Sequence, residues 1–194
     1  MKKSLVTRRL VESAVMIAIA TVLSVLSFQG PWALGGSITI CSMLPLVFIA
    51  QRYGTKWGLL TGVVHGILQM FLGFSNVQYA SNAITAIGII LLDYVVAFGV
   101  VGFSASFNRF FEKRQVAIVV GIAVTMFLRY VCHFLSGWLI WEALWPNEYG
   151  YGSVVWSLLY NGSYMLPEMI ITAAVAALSY NPLKRYWLGQ DLPQ

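Results

Sequence analysis

The sequence predicts an all-α membrane protein: one bundle of six transmembrane helices spanning residues 1–194, with both termini cytoplasmic. Three observations predict it. The chain is 59% hydrophobic and 10% charged, with a mean hydropathy of +0.75, far from an ordinary soluble domain. Its apolar residues fall into six runs, several long enough to cross a hydrocarbon layer of about 30 Å. Every Lys and Arg except Arg129 lies at an end or in alternate connections. Short positive loops stay cytoplasmic during insertion, so this alternation sets the orientation.

Lys2, Lys3, Arg8 and Arg9 precede the first predicted helix, 10–28. The MKKSLVTRR start looks like a secretory signal, but no A-x-A-like site follows Ser27 and five more runs come after it. Within this helix Ala14 and Ala18 make a small-x-x-x-small pair suited to a partner helix. The second and third helices, 38–51 and 57–73, are short for a crossing of about 20 residues, and Pro45 is a candidate break. Arg52 and Lys56 lie between them. Gly58, Gly62 and Gly66 form two G-x-x-x-G steps, a smooth stripe expected to pack inside the bundle. The fourth and fifth helices, 82–107 and 115–141, are long, and Arg109, Lys113 and Arg114 separate them. The sixth, 153–178, is followed by Lys184 and Arg185. Connections near 29–37, 74–81 and 142–152 hold no Lys or Arg and face outward. No internal repeat supports an inverted-repeat transporter. Cys41 and Cys132 fall in apolar segments and read as small buried packers.

The chemistry must reside in polar groups inside the spans, because a charge near the bilayer centre costs about 2.5–3.5 kcal/mol even on a lenient scale. Asp93, Arg129, His133, Asn161 and Glu168 are the candidates. At 1.5 Å per residue, Asp93 lies about 16 Å below the outer surface, and His133 and Asn161 about 12 Å. Three helices thus bring a carboxylate, an imidazole and an amide to similar depth, in a pocket open to the exterior. Arg129, one turn deeper than His133, pairs either with Glu168 beneath the floor or with Asp93. Trp32, Tyr79, Trp138, Trp141, Trp145, Tyr149, Tyr151 and Trp156 cluster at the outer connections. They serve as an interfacial belt, or as an aromatic wall for a flat cation above a buried carboxylate. Trp141, two turns from His133, points the same way and is the best stacking residue. Asn161-Gly-Ser163 matches a glycosylation sequon but sits inside a span.

Several function classes are excluded. The formal charge of +5 is spread over four edges and reads as topology signals and lipid-headgroup contacts, not a nucleic-acid surface. No hydrolase, P-loop or metal-ligand spacing occurs, and Ser136 near His133 is only a faint nucleophile–base pair. An enzyme is not expected, nor is a metal or cofactor. With no nucleotide site, energy for transport must come from an ion gradient or another subunit.

The stretches LRYVCHFLSG (128–137), VVWSLLYNGSYMLPEMII (154–171) and LLDYVVAF (91–98) resemble the thiamine-specific substrate-binding subunit of energy-coupling factor (ECF) vitamin transporters. RLVESAVMIAIA (9–20) and SITICSMLPLVFIAQRYG (37–54) are similar too, so the resemblance covers nearly the whole chain. It implies a six-helix unit in a bacterial plasma membrane. That unit captures thiamine and docks on a transmembrane coupling protein with two cytoplasmic ATPases. Carried over by position, Asp93 matches the family's acidic ligand residue, and Tyr94, His133, Trp141 and Asn161 match binding positions. Trp156 replaces a binding Tyr, with Tyr160 beside it. Trp32 stands near the first-loop stacking position, His65 where some members carry a pocket Trp, and Tyr79 in a stretch with extra residues. Ala14 and Ala18 match the family's contact with the coupling protein. The implied function is high-affinity thiamine capture. A related heterocyclic vitamin, a pyrimidine precursor or a self-sufficient ion-coupled carrier are the alternatives.

Overall fold

A computed structural model describes residues 2–28, 30 and 36–192, with the side chains of 2–4 set aside. Trp32 and most of the 29–37 connection lie outside the described residues. The described chain is helical apart from one short hairpin: α1 (Lys2–Val25), β1 (Ser27–Phe28), β2 (Ile38–Thr39), α2 (Leu44–Tyr53), α3 (Thr55–Leu72) and α4 (Phe74–Gln78). Then come α5 (Ala83–Arg109), α6 (Arg114–Leu144), α7 (Ser153–Tyr180) and α8 (Lys184–Trp187). Three of these, α5, α6 and α7, are long and apolar enough to cross a membrane. Their outward faces carry bare apolar side chains such as Ile84, Ile170 and Leu178. In water such a surface would be unstable, and in lipid it needs no partner.

The element boundaries follow local chemistry. The first helix begins at Lys2, well before residue 10, so the basic stretch is itself helical. The second begins at Leu44 instead of 38, because Ile38 and Thr39 pair with Phe28 and Ser27 in an antiparallel hairpin. Pro45 does not break α2; it occupies the first turn, where its missing N–H is no loss. Gly54, at φ +88°, separates α2 from α3, a backbone state that favours glycine. Its N–H still closes α2 on the Ala50 carbonyl at 2.8 Å. The 74–81 connection contains the single turn α4. Asn82 caps α5, its side chain accepting from the Thr85 N–H at 2.9 Å.

The glycine stripe of α3 faces α5. A Cβ on Gly62 would stand 2.5 Å from the Phe98 carbonyl oxygen, and one on Gly66 2.6 Å from that of Tyr94. Gly58 meets Gly102, where α5 winds more tightly as a 3₁₀ helix over Val100–Arg109. The stripe therefore packs inside the bundle, as expected. Around it lie Leu46, Val47, Ile89, Val101, Ile118, Ile122 and Met126. Cys41 and Cys132 are free and buried.

Ionic contacts fasten the basic end. Arg52, its side chain 2% exposed, bonds Glu12 of α1 at 2.9 Å, Asp191 of the C-terminal segment at 2.7 Å and the Tyr186 carbonyl at 2.6 Å. Arg8 bridges the same two carboxylates. The Arg52 hydrogen bonds hold the Asp191 carboxyl down at about 2.

Candidate ligand-binding site

The cavity lies at the other end of the bundle. It is bounded by the C-terminal ends of α1, α3 and α6 and the N-terminal halves of α5 and α7, away from the Lys- and Arg-bearing connections. Its volume is about 350 Å³. Asp93, Tyr94, His133, Trp141, Trp156 and Asn161 all line it, so six of the nine expected ligand residues share one cavity.

Two irregular turns build its polar centre. The helix backbone widens to a π turn over Ile90–Val95, which carries Asp93 and Tyr94, and over Gly137–Trp141, which ends on the expected stacking indole. A π turn inserts an extra residue into the helical ladder and re-aims the side chains around it. Here it brings Trp141 and Asp93 together. Asp93 Oδ2 accepts from Ser136 Oγ at 2.8 Å and from Trp141 Nε1 at 2.9 Å. His133 Nδ1 stands 3.3 Å from Oδ1. Gly137 allows α6 to press on Ser157 and Asn161 of α7, where any Cβ would collide.

Each wall residue has a definite engagement. Tyr94 hydroxyl donates to the Gly73 carbonyl at 3.2 Å and accepts from Asn76 at 3.1 Å, joining α5 to the end of α3. Trp156 stacks on Tyr149 with ring centres 5.1 Å apart, and Trp145 on Trp141 at 5.7 Å. Asn161 lines the cavity, and its amide is engaged within α7. Nδ2 donates to the Ser157 carbonyl at 3.0 Å, and Oδ1 accepts from Tyr164 at 2.6 Å. His133 Nε2 is buried and has no hydrogen-bond partner among the described residues.

His65 and Tyr79 do not line the cavity. His65 is fully buried on the α3 face that meets α5, edge-on to Phe98 with ring centres 5.2 Å apart. It reaches the wall through Gln69, one turn further on, whose Nε2 lies 3.3 Å from His65 Nε2 and donates to Ser24 at 2.8 Å. Tyr79 is half-exposed and supports Trp145 edge-on at 4.6 Å. Trp32 is among the residues not described.

Beneath the cavity Arg129 pairs with Glu168 at 3.4 Å and lies 4.9 Å from the centre of the Phe98 ring. Glu168 Oε1 also accepts from Ser42 at 3.0 Å and bonds Thr39, tying the hairpin to α7. Of the two pairings open to Arg129, this is the one adopted. Asp93 is thereby left to the cavity.

Sequence reasoning missed Ser24, Gln69, Asn76 and Glu142 in the wall. Gln69 carried a usable signal, an amide inside an apolar helical run. Glu142 carried one too, as an acid directly after the stacking indole. The lining contains two carboxylates, one imidazole, three indoles and, among the described residues, no Lys or Arg. Such a site suits a flat cation, which gains from aromatic faces and from carboxylates in a poorly hydrated space.

The chain is similar to known proteins along most of its length. Residues 10–186 match the model of a family described as thiamine transporter protein. Thiamine transporter ThiT of Bacillus subtilis (strain 168) is 34% identical over 184 residues, covering 89% of this chain and 90% of that protein. Thiamine transporter ThiT of Lacticaseibacillus paracasei is 28% identical over 160 residues, covering 77% and 76%. Among solved structures, ThiT from Listeria monocytogenes superimposes with a TM-score of 0.75 at 23% identity, covering 93% of this chain and 97% of that one, a likeness of fold. The family match and the Bacillus relative span nearly all of the helical bundle, and on that ground this chain belongs to the thiamine transporter protein family.

Proposed function

We propose that this chain captures thiamine from outside the cell as the substrate-binding subunit of an ECF-type, ATP-dependent vitamin transporter. The observation that carries the proposal is the Asp93 carboxylate, held by Trp141, Ser136 and His133 in an aromatic cavity that has no Lys or Arg among the described residues. Thiamine combines a permanently cationic thiazolium ring with an aminopyrimidine that offers donors and acceptors. Asp93 meets the positive charge or the amino donors, and Trp141 and Trp156 present aromatic faces. His133 lines the cavity, and its Nε2, without a hydrogen-bond partner among the described residues, is the atom available to the pyrimidine. Asn161 keeps a supporting place in the wall, with its amide committed to Ser157 and Tyr164. Tyr79 and His65 act one layer back. The family match and the relatives' names support thiamine as the ligand.

In this reading α1, α2 and α3 join the three long helices in a six-span bundle of a bacterial plasma membrane, with both termini inside. The alternation of basic connections supports it. At about 15 Å, the ten-residue α2 needs the preceding hairpin to complete its crossing. Ala14 and Ala18 are exposed on α1 beside the bare side chains of Leu10, Val11, Val15 and Ile19. Such a face fits close packing against the coupling protein, which two ATPases then drive. Thiamine leaves the chain chemically unchanged.

Two measurements test this. Calorimetric titration of the purified chain against a panel of heterocyclic vitamins and pyrimidine precursors should give tight binding to thiamine alone. Vesicles holding this chain with a coupling protein and ATPases should take up thiamine on addition of ATP. Uptake by this chain alone, driven by a proton or sodium gradient, would contradict the assignment.

A further inference from the structure

The cavity wall contains a second carboxylate. Glu142 follows Trp141 directly, and Trp145, stacked on Trp141, lies three residues further on. One Glu142 oxygen, Oε1, accepts from the Asn147 backbone N–H at 3.1 Å and from its side chain at 2.6 Å. The other, Oε2, is buried and has no hydrogen-bond partner among the described residues. No Lys, Arg or His lies within ion-pair distance of Glu142 there. An acid with a cationic neighbour would cancel locally. Glu142 lines the same cavity as Asp93, and among the described residues that lining holds no Lys or Arg to offset either charge.

We propose that Glu142 is a specificity-determining residue of this cavity, favouring the cationic vitamin and penalising its anionic phosphate esters. The inference rests on thiamine being the ligand. A phosphate group brings two negative charges near a carboxylate in a partly dehydrated pocket, where repulsion is weakly screened. Like charges placed against a wrong ligand are a common means of discrimination. Asp93 alone does not supply this selectivity, since Ser136, Trp141 and His133 already surround its oxygens.

The test compares thiamine with thiamine monophosphate, titrated into the full chain in detergent. In the wild-type chain thiamine should bind more tightly than its ester. Glu142→Gln keeps the oxygen that Asn147 binds and removes the charge, and the ratio of the two dissociation constants should fall by at least about tenfold. Asn147→Ala removes the side-chain hydrogen bond to Glu142, leaves the backbone one and keeps the charge, and the ratio should stay within about twofold of wild type. An unchanged ratio in Glu142→Gln, or an equal fall in Asn147→Ala, would overturn the assignment, the second because loop geometry would then be the cause. Should the wild-type chain bind no thiamine, the functional reading fails and this inference fails with it. A fall confined to Glu142→Gln supports both.

Discussion

Trp141 Nε1 donates to Asp93 Oδ2 at 2.9 Å, so the indole that walls the cavity also orients its carboxylate. A hydrogen bond to a charged acceptor contributes about 1.5–3 kcal/mol where water is scarce. Stacking and charge placement are therefore coupled in one side chain. Trp141→Phe, which keeps an aromatic face and deletes the donor, should weaken thiamine binding about tenfold. Trp141→Ala should weaken it by more, because the stacking face goes too. Equal affinities for the two variants would show that the ring face contributes nothing.

Ala14→Trp should abolish ATP-driven uptake and leave thiamine affinity within about twofold. The residue is exposed on α1, on a different face from the buried Ser13 and Ala20, and a bulky ring there blocks close helix approach without touching the cavity. Paired uptake and binding measurements on one preparation check this. Loss of both would place Ala14 in the folding of the bundle.

Glu168→Met should destabilise the chain by about 3 kcal/mol, because it strands Arg129 in the interior and removes the acceptor shared by Thr39 and Ser42. Adding Arg129→Met should recover part of that loss. Thermal unfolding of the single and double variants in detergent reads the effect. A double variant less stable than the single one would refute the pairing.

Asp191 sets a pH dependence. Its carboxyl is held at about 2 in the folded chain, chiefly by Arg52 hydrogen bonds, against an ordinary value of 3.8. A depressed value means the unfolded chain binds the proton first. The contribution is complete above about pH 4 and is lost as pH falls through about 2. Asp191→Asn should lower the thermal midpoint by about 2–4 °C at neutral pH. The gap to wild type should close as the solution is taken toward pH 2. A gap that persists in acid would show that Asp191 acts by shape and not by charge.

Much of this architecture was legible because a bilayer makes residue type informative. Asp93, His133 and Asn161 stood out as polar groups in apolar runs, and helical rise alone brought them to one depth. The packing of the Gly58–Gly62–Gly66 stripe followed from the need for close helix approach, whereas the partner of Arg129 was left open between Glu168 and Asp93. The π turns at Ile90–Val95 and Gly137–Trp141 were not legible, since no residue pattern marks them. Without them the bond from Trp141 to Asp93 could not be foreseen. The hairpin was hidden as well, because Thr39 and Ser42 are drawn to Glu168, far away in sequence. His65 was assigned to the wall by position in the family. Its helix face instead turns toward Phe98, and Gln69 takes the place at the cavity.

Tryptophan fluorescence provides the most direct measurement, with thiamine titrated into the wild-type chain and into Asp93→Asn side by side. Thiamine should quench the wild-type signal in a saturable way. In the variant the midpoint should move to at least about tenfold higher concentration, equivalent to about 1.4 kcal/mol. An unmoved midpoint in Asp93→Asn would contradict the claim that this carboxylate holds the ligand in the cavity.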